Sequence, residues 1–517
     1  MFKKILVPFL LMATLCLNAG CGNDNNDSSN NNIGNNNGNS ENNNDNSDND
    51  DNNNIPPSPL SEGTLFEAEM LGLVPGSTTA ELNFAWYSDT GNTSSVRIFN
   101  ASGELVKTWE GNSGEATQGK RWHKVTAKEL KADTQYQYSV SNDGDNWSYK
   151  YHYKTPQAQA FRFASVGDPQ LTTGKQDTTS AYFSADQTTL EGWKETLGKI
   201  ASKNVDFIAG VGDQVDKTSG GDEAEYANFF APPQLRTLPW APAVGNHDRH
   251  LPFIYHYNLP NEQTFEAIVN ATNGNNTETG TVEAAGNYWY LYNNTLFVVF
   301  NTSAYPDSAV AAGPYVERFN QTLRAATKAN QGKYVWLIVQ HHKSTASVAQ
   351  HLADEDIQYY VEAGFEKLMD IHGVDFVLAG HDHVYARSHH MRDGQRSDEG
   401  GTVYLTFTTG SGLKYYHLFD TVGLYVKDNA NYPYLMDGSF GSAAYLEGAT
   451  APGNGYSATD MNILNTFSLG KLPLSTLLFA QHKTPGYALF DVNGNTINVA
   501  VYDVDSDTPI DSFSVSK

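Results

Sequence analysis

Five short polar runs in this 517-residue chain hold the side chains that could do chemistry. They read GDPQ (Gly167 to Gln170), GDQVD (Gly212 to Asp216), GNHD (Gly245 to Asp248), QHH (Gln340 to His342) and GHDH (Gly380 to His383). Carboxylate, carboxamide and imidazole are the donors that hard and borderline divalent cations take, so the set suggests a two-metal hydrolytic centre. Asp168 offers an anionic oxygen and Gln170 a carbonyl two residues on; in extended chain both would face one side. Asp213 can bridge two ions through its two oxygens, or it can cap a following helix. Asn246 is a neutral oxygen donor, or part of a plain Gly-Asn turn. His247 and Asp248 suggest a carboxylate orienting an imidazole for proton transfer or phosphate binding. His381 and His383, two apart, could serve two adjacent ions. Of His341 and His342, one could bind metal while the other points away.

Each run follows an apolar stretch, and these stretches must hold it. Phe161 to Val166, Val205 to Val211, Thr295 to Asn301, Val335 to Val339 and Asp375 to Ala379 read as buried strands. Thr188 to Lys203 and Gln358 to His372 read as helices between some of them. This alternation predicts an α/β body with its site at the carboxyl ends of the strands. Gly486 to Val492 and Thr496 to Val504 around Asn493-Gly494-Asn495 predict a hairpin. Ahead of this body, Ala80 to Tyr87, Ser95 to Asn100, Trp122 to Val125, Gln135 to Val140 and Tyr149 to Lys154 read as the short strands of a β-sandwich. No titratable cluster lies in that part, so a packing and orienting role is expected of it. The stretch from about 413 to 481 has no clear period and reads as an irregular insertion.

Residues 1–21 have the layout of an export signal: Lys3 and Lys4, an apolar run from Ile5 to Leu17, then Asn18-Ala19-Gly20-Cys21. The pattern resembles a lipoprotein signal with lipid on Cys21, which predicts an exported, membrane-anchored protein on the periplasmic or cell-surface side; ordinary cleavage and secretion is the alternative. Residues 22–57 are rich in Asn, Asp and Ser and contain no Lys or Arg, which predicts a disordered acidic tether. With Cys16 in the signal, no thiol is left for a disulfide or a metal. The formal charge of −25 argues against a nucleic-acid backbone as partner. An anionic small substrate remains compatible with it, because bound cations invert the local field.

In order and setting, GD-x-Q, GD, GNHD, a strand-terminal His and GHDHVYARS resemble the calcineurin-like metallophosphoesterases, and among them the purple acid phosphatase branch. The resemblance implies a four-layer αββα body at 160–517 behind a fibronectin type III-like domain at 58–156; Leu130 to Tyr138 resembles the corner of such a domain. It implies two metals: one held by Asp168, Gln170, Asp213 and His383, the other by Asp213, Asn246, His342 and His381. His342 is taken over His341 because Trp336 to His342 is similar to the family's strand end. His247 and His351 match family histidines that contact phosphate. Asp216 stands where the purple enzymes have a metal-binding Tyr, which implies a colourless centre with divalent Fe, Mn or Zn. Two divalent ions and two carboxylates would leave net positive charge for a small phosphorylated substrate. Hydrolysis of phosphomonoesters by in-line attack of metal-activated hydroxide is the implied reaction. A nucleotide phosphodiesterase or pyrophosphatase, and a surface binding protein without turnover, are the alternatives.

Overall fold

The computed structural model describes residues 63–173, 189–217, 223–268, 277–349, 351, 354–412, 414–416, 475–480 and 482–517. The export signal with Cys21, the tether at 22–57 and most of 413–481 lie outside the described residues.

The strands of the α/β body are apolar at nearly every position because each is buried on both faces. In Ala160–Val166, Phe161 and Phe163 point to one side, Ala164 and Val166 to the other. In Thr295–Val299, Phe297 and Val299 oppose Leu296 and Val298. One face of each strand enters a core between two sheets, and the other is covered by helices. In the core between the sheets, Phe163 stacks on Phe490 at 4.4 Å and meets Phe297 edge-on at 5.2 Å. Helix Thr189–Ser202 covers the first sheet with Trp193, Leu197 and Ile200. Helices Ala309–Ala329 and Phe365–His372 cover the second with Phe319, Leu323, Phe365 and Met369. This is the four-layer αββα sandwich.

The first sheet runs Trp240–Pro242, Phe207–Gly210, Ala160–Val166, Gly486–Asn493, Thr496–Asp503, Asp511–Ser516. Its first three strands are parallel, with Phe207 beside Phe163 and Gly210 beside Val166. The expected hairpin closes it, Asn493 pairing with Thr496. The second sheet runs Tyr288–Tyr292, Thr295–Val299, Trp336–Lys343, Phe376–Gly380, Thr402–Thr406, Tyr385–Arg392, Gln395–Arg396. Thr295–Val299 through Thr402–Thr406 are parallel there. All five polar runs therefore sit at one end of the two sheets.

Two helical expectations change. The stretch from Gln358 to His372 is two helices, Glu355–Glu362 and Phe365–His372, because Gly364 takes φ +96° between them. Helix Ala309–Ala329 was not read from sequence; Pro314 within it obscures the period. Among the described residues no helix is long and apolar enough to cross a membrane.

The N-terminal part has two four-stranded sheets: Glu69–Pro75, Leu82–Ser88, Arg121–Ala127, Asn112–Glu115, and Leu105–Glu110, Ser95–Asn100, Gln135–Ser141, Tyr151–Lys154. Leu73, Phe84, Trp86, Val96, Ile98, Val125 and Tyr138 fill the space between them. The Tyr136 hydroxyl accepts the Lys131 N–H at 3.0 Å, the tie of a tyrosine corner. The sandwich is seated on the α/β body through a buried polar node. Tyr87 donates to Glu223 Oε1 at 3.1 Å and stacks on His256 at 4.3 Å, while His256 Nε2 lies 2.6 Å from Glu223 Oε2. Two residues on, the Glu225 carboxylate accepts the N–H groups of Asp216 and Lys217 at 2.9 and 2.5 Å. The docking surface thus reaches the loop that carries Asp216.

Candidate metal centre

Strand parity decides which histidine of the QHH run reaches the centre. Trp336, Ile338, Gln340 and His342 share the face toward the first sheet: Trp336 and Ile338 lie in the core between the sheets. Gln340 Nε2 donates across it to the carbonyls of Gly210 and Ala241, at 2.6 Å each. His341 shares the opposite face with Leu337 and Val339, and its ring meets Phe365 at 4.9 Å. Among the described residues neither His341 nitrogen has a hydrogen-bond partner, and burial pushes this imidazole down to about 3. His342 arrives beside Asp213.

Around His342 Nε2 lie Asn246 Oδ1 at 3.0 Å, His381 Nδ1 at 3.1 Å and Asp213 Oδ2 at 3.3 Å. His342 Nδ1 lies 2.8 Å from the Val211 carbonyl, to which it donates, so Nε2 presents a lone pair. These four atoms form a set that a cation would satisfy: a proton on His342 when no metal is bound, or a divalent ion in its place. Burial opposes charging His342, but Asp213, Asp168 and the Val211 carbonyl outweigh it and push the ring up to about 9. Burial alone would raise Asp213, but His342 and His247 hold it well below the usual carboxylate range.

The second group is Asp168, Gln170 and His383. His383 Nε2 lies 3.4 Å from Asp168 Oδ1, and His383 Nδ1 is held by the Lys414 carbonyl at 2.8 Å. Gln170 Nε2 is 3.0 Å from Asp213 Oδ2, while its buried Oε1 meets no donor among the described residues. A flip of that amide would turn the unpartnered oxygen toward the carboxylates. The donor set and this orphaned oxygen fit divalent ions. Gly380 packs so closely on the Asp168 carboxylate that a side chain there would displace it.

The local backbone differs from the expected extended geometry. Asp168, Gln170 and Asp213 have φ of +46°, +39° and +52°, and His381 and His383 have +72° and +49°. Each is in the left-handed region that side chains avoid, so local strain gathers where the ligand atoms converge. His381 and His383 consequently part toward two partners, His342 and Asp168, rather than sharing a strand face.

The His247–Asp248 pair is corrected. Asp248 is fully buried and its carboxylate accepts the backbone N–H groups of Gln214 at 3.0 Å and Gly245 at 2.9 Å. It ties the Asp213 loop to the Asn246 loop and does not hold the imidazole. His247 Nδ1 instead lies 2.7 Å from the Asp216 carbonyl, with Nε2 3.9 Å from Asp213 Oδ2. His351 stands at the other rim, its ring 4.2 Å from that of His381 and its Nδ1 2.7 Å from Asp354 Oδ2. Burial lowers it, but Asp354 and Asp382 more than compensate and hold it above its ordinary value.

Sequence reasoning missed Asp382, the middle acid of GHDH. Buried beside the centre, it accepts from the Ser347 hydroxyl and from the N–H groups of Ala349 and His351, the last two at 3.0 and 2.8 Å. Its place between two candidate ligands was the available signal. Lys414 and Tyr416 were missed too, and nothing around them in sequence marks them.

This geometry has relatives. A calcineurin-like phosphoesterase model matches residues 161–385, the span from the first central strand through GHDH. Those residues form a calcineurin-like phosphoesterase domain. Ahead of the phosphoesterase domain, residues 68–155 match the purple acid phosphatase N-terminal domain. Purple acid phosphatase 18 of Arabidopsis thaliana is 25% identical over 298 residues, 56% of this chain and 58% of that protein. The chain thus spans under two thirds of this curated relative. The purple acid phosphatase PPD1 of yellow lupin superposes with a TM-score of 0.54 at 16% identity, over 87% of this chain and 74% of that one. PhoD superposes at 0.53 with 11% identity, over 88% and 90%. At these identities the superpositions speak for the fold.

Proposed function

We propose that the chain is a two-metal phosphatase that hydrolyses small phosphate esters, phosphomonoesters first. The observation that carries this reading is the convergence of Asp213, Asn246 and His381 within 3.0 to 3.3 Å of His342 Nε2. Asp168, Gln170 and His383 stand beside it. These seven residues would hold two divalent ions, drawn from Fe, Mn and Zn. Such ions polarise a phosphoryl group and make hydroxide available near neutral pH.

The remaining work falls to the protein. Asp213 belongs to both groups and fixes their spacing. His247, anchored on the Asp216 carbonyl, faces the phosphoryl group with Nε2. His351, paired with Asp354, keeps a proton available for the leaving oxygen. Asp248 and Asp382 hold the loops so that little reorganisation is needed on binding. Asp216, with its carboxylate among His247 and Lys414, supplies no tyrosinate, and the loaded protein should be colourless.

The test is metal analysis of protein purified without chelator, together with rates on a monoester, a diester and a nucleotide diphosphate of matched leaving groups. Two bound ions and fastest turnover of the monoester are expected. A diester or diphosphate preference would make the enzyme a phosphodiesterase or pyrophosphatase. Protein without metal, or without turnover of all three, would leave a binding protein and end the enzymatic reading. We also propose export and anchoring through lipid on Cys21, on the strength of the signal-like sequence. Cys21→Ser should release the protein from membranes; unchanged retention would refute the anchor.

A further inference from the structure

All the candidate ligands except the partly exposed Asn246 are buried: Asp213 and His383 are 1% exposed, and His342 is 0%. The groups at the accessible lip are therefore the ones an incoming ester meets. His247 and Lys414 are there, with side chains 28% and 20% exposed, and both converge on one carboxylate. Lys414 Nζ lies 3.5 Å from Asp216 Oδ1, and His247 Nδ1 lies 3.6 Å from the same oxygen. The Lys414 backbone is pinned one side chain from the centre, because its carbonyl accepts from His383 Nδ1 at 2.8 Å. Two residues on, the Tyr416 ring packs edge-on to His351 at 4.8 Å and against His383 at 4.9 Å. The short segment Lys414 to Tyr416 thus walls the centre between its two rim histidines.

We propose that Lys414 is a specificity-determining residue: its ammonium, held over Asp216, turns to the non-bridging oxygens of a doubly charged phosphoryl group. The inference rests on the phosphatase reading of the same centre. The contact is long at 3.5 Å, and His247 Nδ1 at 3.6 Å and Lys217 Nζ at 4.0 Å stay beside the Asp216 carboxylate when the ammonium turns away. A lysine is a mobile point charge on a flexible stem, suited to meeting an anion that arrives and leaves. A monoester carries two negative charges near neutral pH and a diester one. An extra cation at the lip therefore favours the monoester, and it also favours inorganic phosphate, the product.

The test uses the full chain loaded with Mn. Lys414→Met keeps the stem and removes the charge; Lys414→Arg keeps the charge. Inorganic phosphate binding, read by calorimetry, should weaken about tenfold in the Met variant and recover most of its strength in the Arg variant. With 4-nitrophenyl phosphate and bis(4-nitrophenyl) phosphate, the monoester-to-diester ratio of kcat/KM should fall about tenfold in the Met variant, chiefly through monoester KM. Unchanged phosphate affinity, or an equal fall for both esters, would overturn the proposal and leave Lys414 as a backbone support for His383. Parent protein that binds phosphate but turns over neither ester would sink the phosphatase reading instead, while the calorimetric comparison still decides the role of Lys414.

Discussion

The two central sheets bring different chemistry to one place. Loops of the sheet built on Ala160–Val166 supply oxygen donors: Asp168, Gln170, Asp213 and Asn246. The sheet built on Trp336–Lys343 supplies nitrogen donors: His342 from the strand itself, His381 and His383 from the GHDH loop. The oxygen half is shaped by left-handed backbone at three of its four ligand positions. The nitrogen half owes His342 to strand parity, and only its GHDH loop carries the same strain. Each half has one buried aspartate that binds backbone, Asp248 or Asp382. Each also reaches across: the His381 N–H donates to both Asp168 oxygens at 3.0 Å, and His342 donates to the Val211 carbonyl. The contrast teaches that neither sheet owns the centre, and that a donor and the clamp beside it have separate jobs.

Asp213→Asn should break both halves at once, since its carboxylate meets His342 of one sheet and Gln170 of the other. We expect kcat/KM to fall at least about a thousandfold, or roughly 4 kcal/mol of barrier, with loss of bound metal. A variant within tenfold of the parent, with both ions retained, would show that the halves do not share this residue.

Adjacent histidines on opposite faces of one strand offer the next test. His342→Ala should cost on the order of a hundredfold in activity. His341→Leu should keep activity and change the acid limb of stability. The His341 ring is pushed down to about 3 from 6.5, so between those values the unfolded chain takes a proton that the fold refuses. Stability is then lost as pH falls through that window, by on the order of 3 kcal/mol. Urea unfolding at pH 7, 5 and 4 should show this fall in the parent and a shallower one in His341→Leu; parallel curves would remove His341 as the cause.

The clamps should act on stability before chemistry. Asp248→Asn and Asp382→Asn each put an amide where backbone N–H groups need an acceptor, at a cost of about 1 to 3 kcal/mol. Metal content and denaturation midpoints separate the two jobs: a lower midpoint with both ions retained is expected, and an unchanged midpoint with lost metal would make these acids ligands. The smallest effect is expected from Gln170→His, which puts a nitrogen in the oxygen half. Competition between Mn and Zn should shift a few-fold toward Zn, about 1 kcal/mol; no shift would place Gln170 outside the metal shell.

Much of this was legible in the sequence because strands buried on both faces are mostly apolar and end abruptly in polar runs. Phe161 to Val166, Phe207 to Gly210 and Trp336 to Val339 announce themselves in this way, and the order of the five runs pointed to the family. Period two also put His341 and His342 on opposite faces. What the period cannot give is which face looks toward the other sheet; that follows from packing, where Gln340 meets Gly210 and Ala241. Asp248 and Asp382 resemble ligands in sequence, and only the folded loops show them holding N–H groups instead. Lys414 and Tyr416 reach the lip from a stretch without pattern, more than 30 residues beyond GHDH. Residue types determined the chemistry available to this protein. Tertiary structure assigned the roles, because a carboxylate or an imidazole acts according to which donors and acceptors the fold sets around it.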